Sequence, residues 1–338
     1  MRVLAIGLLA ACSGSSATVI DGNQAGDDGV TVDGATATDA APAEPPAFRL
    51  VAQRMVNGKQ RLWQYATNTS SWTEIVGTNA WGAPVYSADG NSVIASTGQG
   101  IGRIAITGGT ATYVGLPIDT PRALTPNGLE VVTSAYGRPD ANGNPKYPFL
   151  LYRVNVATGT ATSLTSQMNG VSTRDDDGGA YLADGNLLFS RRLGNFSTYV
   201  IAKLDAGGTV TPWLTPPANF VYTYPAINNT KTKVAFLRCA GTGSAYDQST
   251  CDVMTANADG SGLVNVTNDP RRRHWPAFVP DGSHVVVAEG DTLGTAKLTL
   301  VRLSDGQVTD FATPFNVGLS PNDAATSQGQ ITVAIHSL

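Results

Sequence analysis

The chain has 338 residues, of which 14% are charged, with a net charge of −4. That length can bury a sizeable core, and low charge with abundant Gly, Thr, Ala, Asn and Ser favours strands and turns over long helices. The longest basic run, Arg271-Arg272-Arg273, is too small for the broad positive field that nucleic-acid binding requires, so that partner class is set aside.

The first element is Met1-Arg2 followed by an apolar stretch, Val3 to Ala11, too short to span a bilayer as a helix. It ends in Leu9-Ala10-Ala11-Cys12, which resembles the lipobox of bacterial lipoproteins. The resemblance implies a signal peptide over 1–11, cleavage before Cys12 and a lipid on that cysteine; the alternative is an ordinary signal peptide with a chance cysteine. Ser13 after the cysteine implies, by the same resemblance, the outer membrane of a bacterial envelope, with the membrane reached through the lipid alone. Residues 12–46 hold few large apolar side chains and cannot offset their ordering entropy, so they are expected to form a disordered tether. As a flexible coil its r.m.s. reach is about 30 Å. The Asp-Gly pairs at Asp28-Gly29 and Asp33-Gly34 do not match the spacing of an EF-hand calcium loop.

From residue 47 to 338 the chain repeats. A short apolar strand, a tight turn and a second apolar run recur six times: PVYSADG from Pro84, RALTPNG from Arg122, GAYLADG from Gly179, PAINNTK from Pro225, PAFVPDG from Pro276 and VGLSPND from Val317. Asp-Gly and Asn-Gly between apolar runs favour hairpins because both residues tolerate positive φ. A second hairpin, alternating apolar and polar residues, also recurs six times, from Arg61, Gly102, Leu151, Val200, Asp252 and Leu298. Four strands per unit, spaced by roughly 40–55 residues, is the signature of propeller blades. The prediction is an all-β six-bladed β-propeller with four-stranded blades, its ring closed by strands from both chain ends. Phe48 to Ala52 and Ile331 to Ala334 both read as the second strand of the closing blade. The longest insertions, Gly137 to Pro148 and Cys239 to Cys251, fall between second and third strands. Cys239 and Cys251 are expected to form a disulfide in an oxidising envelope, the alternative being two free thiols.

The repeat is similar to TolB-type propeller repeats, most clearly over Asp252 to Glu289, DVMTANADGSGLVNVTNDPRRRHWPAFVPDGSHVVVAE. The resemblance implies the fold and no single function, since related propellers occur in binding proteins, beside hydrolase domains and in pectate-fragment lyases. TolB's additional α/β domain has no room here, so its role does not carry over whole.

Chemistry is sparse. There is no G-x-S-x-G elbow, and His274, His284 and His336 form no close metal-ligand pair. Gly98-Gln99-Gly100-Ile101-Gly102 lies between two strands and reads as a hairpin turn, not a dinucleotide loop. His284, beside a turn, is expected at the surface, and Trp275-Pro276 in blade packing. The loops entering the innermost strands should bring Trp81, Arg122, Arg174, Asp175, Asp176, Asp177, Tyr222, Tyr224, Arg273 and His274 toward one channel mouth, where a polar ligand or peptide would be oriented and stacked. From that set Arg122, Arg174, Asp175, Tyr222, Arg273 and His274 are the expected ligand contacts. Asp175-Asp176-Asp177 could alternatively clip a structural calcium ion; otherwise no cofactor or metal is expected. The leading functional expectation is a non-catalytic, monomeric envelope propeller that binds a protein segment or glycan at this mouth. A polysaccharide lyase-like enzyme using the same mouth and a structural envelope component stand as alternatives. The lyase reading requires Arg273, His274 and a carboxylate to converge; the structural reading requires a channel plugged by its own side chains.

Overall fold

A computed structural model describes residues 44–45, 47–56, 59–79, 81–135, 149–165, 176–193, 198–242, 248–292, 295–311 and 333–337. The chain divides into two units, Met1–Ala43 and Glu44–Leu338. The first, with Cys12 and nearly all of the expected tether, lies outside the described residues.

The second unit is six four-stranded antiparallel sheets. β1 (Phe48–Val56), β2 (Lys59–Ala66) and β3 (Ser71–Glu74) belong to blade 1. Blade 2 is β4 (Gly82–Tyr86), β5 (Ser92–Thr97), β6 (Gly100–Ala105) and β7 (Thr112–Val114). Blade 3 is β8 (Asp119–Leu124), β9 (Glu130–Ala135), β10 (Leu150–Asn155) and β11 (Ala161–Ser163). Blade 4 is β12 (Asp176–Tyr181), β13 (Leu187–Leu193), β14 (Thr198–Leu204) and β15 (Val210–Leu214). Blade 5 is β16 (Phe220–Ile227), β17 (Lys233–Ala240), β18 (Cys251–Asn257) and β19 (Val264–Asn265). Blade 6 is β20 (Arg273–Phe278), β21 (His284–Thr292), β22 (Thr295–Arg302) and β23 (Val308–Asp310). The first strand of each of blades 2 to 6 is innermost, and neighbouring innermost strands touch in sequence around the ring.

β24 (Val333–Ser337) closes the ring. It pairs antiparallel with β1, Leu50 opposite Ile335, and occupies the innermost position of blade 1. The closure from both chain ends is therefore one strand plus three. Phe48–Val56 is the second strand, as its sequence suggests, while Val333–Ser337 is the innermost strand rather than a competing second one. The VGLSPND copy expected to supply that innermost strand lies outside the described residues.

Blade-to-blade packing explains why the second strands read as unbroken apolar runs. Val285, Val286, Val287 and Ala288 are all fully buried. Val285 and Val287 pack toward Cys239, Cys251 and Val253 of blade 5, whereas Val286 and Ala288 pack toward Phe48, Leu50 and Ala52 of blade 1. Alternation persists, but both faces are dry. Each fully buried Val or Leu contributes about 1.5–3 kcal/mol of transfer free energy.

Of the two turn residues that tolerate positive φ, one adopts it. At Ser87 to Gly90 only the glycine does, at 66°. Asp89 instead turns its carboxylate back to accept from the Ser87 hydroxyl and the Asn91 N–H. These bonds, the hydroxyl's first, hold the Asp89 carboxyl down to about 2. Asn127, Asp184 and Asp281 accept equivalently in blades 3, 4 and 6. In blade 5, where Thr230-Lys231 replaces Asp-Gly, Lys231 takes φ 55° and the Asn228 side chain accepts from Thr232 N–H. The turn is conserved in shape across the blades because a side-chain acceptor and one left-handed residue suffice.

Candidate binding site

The channel is built by a defect repeated in five innermost strands. Register slips by one residue between Gly82 and Val85, Pro121 and Ala123, Asp177 and Ala180, Thr223 and Ala226, and His274 and Ala277. An extra residue on one strand bends it and re-aims its side chains. Three bulges carry a non-glycine residue at positive φ: Ala83 at 49°, Tyr224 at 57° and Trp275 at 45°. For aromatic residues this is a strained conformation that persists only where surroundings impose it. Two of these residues are held by side chains of the preceding blade. Ser190 Oγ accepts from Tyr224 N–H at 2.7 Å, and Gln53 Oε1 accepts from Ala83 N–H at 3.2 Å.

The bulge layer closes the axis. Arg122 of blade 3 and Trp275 of blade 6 stand on opposite sides of the ring, yet the guanidinium carbon lies 4.6 Å from the indole centroid. Tyr224 of blade 5 also packs on that indole, with ring centroids 4.0 Å apart and planes tilted by 36°. Asp177 of blade 4 pairs with Arg122 Nε at 2.6 Å. Gly178, at φ 80°, leaves room for Pro225 and the Trp275 ring. Beyond this floor, toward the ends of the innermost strands, lies a cavity of about 550 Å³ lined by all six of them. Its wall is rich in proline and apolar side chains: Pro84, Pro121, Pro225 and Pro276 with Leu124, Ile227, Phe278 and Ile335. His336 sits at the rim against Gly90, where an added Cβ would stand 2.6 Å from the imidazole. The His336 ring also lies 5.5 Å from Tyr86, whose hydroxyl is pushed up by burial. This is a blind funnel.

TolB from Acinetobacter baumannii matches at 15% identity with a TM-score of 0.61, over 85% of this chain and 66% of that one. A putative TolB from Agrobacterium tumefaciens matches at 14% identity and TM-score 0.60, over 88% and 99% of the two chains. The fold is a TolB-like propeller. An oligogalacturonate lyase in complex with manganese shares it at 13% identity and TM-score 0.53, over 78% and 73%. No protein-family profile and no curated relative matches the chain. At these identities the likeness concerns the fold alone.

Within the TolB-like propeller, the residues expected at the upstream mouth, where the innermost strands begin, are placed very differently from one another. Arg174 and Asp175 lie outside the described residues. Arg273 has no exposed side-chain surface and turns into the seam with blade 5. Its Nη1 donates to the Cys251 and Asp269 carbonyls and to Thr267 Oγ1, and its Nη2 to Asp269 Oδ1. Glu289, itself buried, stands 3.5 Å from Arg273 Nε and 2.9 Å from Arg271 Nη1. Tyr222 is buried edge-on against Phe236, and Trp81 fills the space that Gly102 leaves in the core between blades 1 and 2. His274 faces the other way from Arg273. It pairs with Ala288, which packs against blade 1, and cross-strand partners share a face. Burial, then the Arg272 charge, pushes this imidazole down to about 4, and its Nε2 has no hydrogen-bond partner among the described residues.

Among the described residues of the expected set, Arg122, Asp177 and Tyr224 reach the axis. Asp176 is spent on a doubly hydrogen-bonded pair with Arg191, at 2.7 Å for each contact. Asp176 and Asp177, two members of the alternative calcium clip, are each opposed by an arginine, and the third, Asp175, lies outside the described residues. Among the described residues, no group of three or more His, Cys, Asp or Glu side chains is arranged to hold a metal ion. Trp275, assigned to packing from sequence, is the centre of the site, and His284, expected at the surface, is buried and within 2.8 Å of Ser283 Oγ. Cys239 and Cys251 form the disulfide, directly opposite one another on β17 and β18. The Gly98 to Gly102 motif is the turn between β5 and β6, as expected. No helix among the described residues is long and apolar enough to cross a membrane.

Proposed function

We propose that this protein is a non-catalytic envelope propeller that seats an extended protein segment in the downstream funnel. The observation that carries this reading is the floor: three blades converge to hold Arg122, Trp275 and Tyr224 in contact, two of them on strained backbone, beneath an open cavity. Strain retained at a concave aromatic site is a recurrent mark of ligand binding. The wall favours a peptide over a glycan. Sugar hydroxyls demand many side-chain hydrogen-bond partners, whereas proline and aliphatic residues form the larger share of this lining, with polar side chains such as Ser87, Thr125 and Asn229 between them. The Arg122–Trp275 contact supplies the plug that the structural alternative requires, but about 550 Å³ stays open above it, which a plug alone does not need. The lyase-like alternative loses support because Arg273 and His274 point into opposite seams. Attachment to the outer membrane through Cys12, with residues 12–46 as the leash and a monomeric propeller, completes the proposal.

A photo-crosslinking residue placed at Lys231, on the funnel wall, tests it in cells against the same residue at Val76, which is exposed on a blade edge. A defined protein adduct from Lys231 that disappears with Trp275→Ala is expected. Identical adducts from both positions would move the interaction to a blade face and sink the funnel reading.

A further inference from the structure

We infer that the funnel selects a segment bearing a carboxylate, which docks on Arg122 at the floor; this rests on the binding role proposed above. The Arg122 side chain is only 1% exposed, and its Nη1 is buried without a hydrogen-bond partner among the described residues. Asp177 engages the guanidinium at Nε, and its own residue lies behind the floor rather than on the funnel wall. The indole face fixes the plane of the guanidinium from across the axis. Arg122 lines the cavity, and the N–H groups of a planar guanidinium not taken by Asp177 match the two oxygens of a carboxylate.

The rest of the wall agrees in sign. Its charged or imidazole side chains are Arg122, Lys231 and His336, and it contains neither Asp nor Glu among the described residues. An acidic group entering this cavity meets Lys231 on the wall and Arg122 at the floor, with no opposing carboxylate among the described wall residues. The donor is already unmet in the free protein, so a carboxylate gains a charge-assisted bond there that a neutral segment does not match, and that difference generates discrimination. The carboxylate can belong to a chain terminus or to an Asp or Glu side chain, since both offer the same two oxygens.

Affinity-selection mass spectrometry on the full chain, with hexapeptide libraries made as free acids and as amides, separates these sources. Enrichment of acids over amides by about tenfold indicates a terminal carboxylate. Enrichment of Asp or Glu over Asn or Gln at one position by a similar factor indicates a side chain. Either preference should shrink to within about twofold in Arg122→Gln/Asp177→Asn, which removes the ion pair as a unit and strands no buried charge. Arg122→Lys should retain part of it. Peptides that depend on Trp275 yet show no acid preference, or a preference unchanged in the double variant, would overturn the carboxylate inference and leave peptide binding standing. No enrichment over the Trp275→Ala protein would overturn both.

Discussion

The two ends of the central channel are made from the same repeating strand, and they use their polar residues in opposite ways. Upstream, Arg273, Glu289, Asp176 and Arg191 are buried in seams and ion-paired with one another or with neighbours, and the disulfide joins β17 to β18 in the same layer. At the bulges and downstream of them, Arg122 keeps an unmet donor, Lys231 and two aromatic residues sit at positive φ, and a cavity remains. One end spends its chemistry on holding blades together, and the other keeps it in reserve. If that division is right, substitutions upstream should act on stability and substitutions downstream on binding.

The largest expected effect is upstream. Arg273→Ala should lower unfolding free energy by about 3–5 kcal/mol in denaturant titration, because it removes several bonds at once and leaves buried Glu289 with Arg271 alone. A loss below 1 kcal/mol would break the comparison. Cys239→Ser with Cys251→Ser, opening a link across 12 residues, should cost about 3 kcal/mol with the fold retained.

His274 supplies a pH test of the same end. Its folded-state value of about 4 lies below the ordinary imidazole value of 6.5. The unfolded chain therefore binds more protons between those values, so stability is complete above pH 6.5 and is lost as pH falls toward 4. The loss is on the order of 3 kcal/mol at most. His284, lowered chiefly by burial, acts in the same direction. In His274→Gln the slope of stability against pH over this window should flatten, and an unchanged slope would remove His274 from the account.

Two smaller effects probe the downstream end. Trp275→Ala should weaken binding of any peptide selected on the wild type by at least about tenfold, roughly 1.4 kcal/mol, with a smaller change in unfolding than Arg273→Ala. Lys231→Gly should stabilise the fold by about 0.5 kcal/mol, since glycine adopts φ 55° without the Cβ clash and the gain is partly offset by its looser unfolded state. Together they ask whether the funnel end holds strain that a ligand, not the fold, requires.

Legibility followed chemistry that is local in the chain. The turns were readable because Asp89, Asn127, Asp184 and Asp281 act within two residues of themselves, and six recurrences of each hairpin made the blade count plain. Arg122, Asp177 and Tyr224 were expected at one mouth and meet at the bulge layer, where Trp275, read as packing, touches both Arg122 and Tyr224. A period-2 reading of Arg273-His274-Trp275-Pro276 cannot anticipate a bulge, and one extra residue exchanges the faces of everything around it. The useful signal was an aromatic residue directly before proline at the same place in two innermost strands, Tyr224-Pro225 and Trp275-Pro276. The closing blade was ambiguous for a related reason. Val333–Ser337 is only five residues long, too short for its pattern to tell an innermost strand from a second one.

The contact between Arg122 and Trp275 decides what kind of object can be read. With the axis blocked at the bulges, nothing can thread through the ring from one side to the other. Four innermost residues, from Trp275 to Phe278, span roughly 13 Å, so the depth admits about four residues of extended chain. A long polymer can offer only its end or the tip of a loop, and it must leave by the way it came. The propeller is a thimble, suited to counting ends and tips rather than to sliding along a strand.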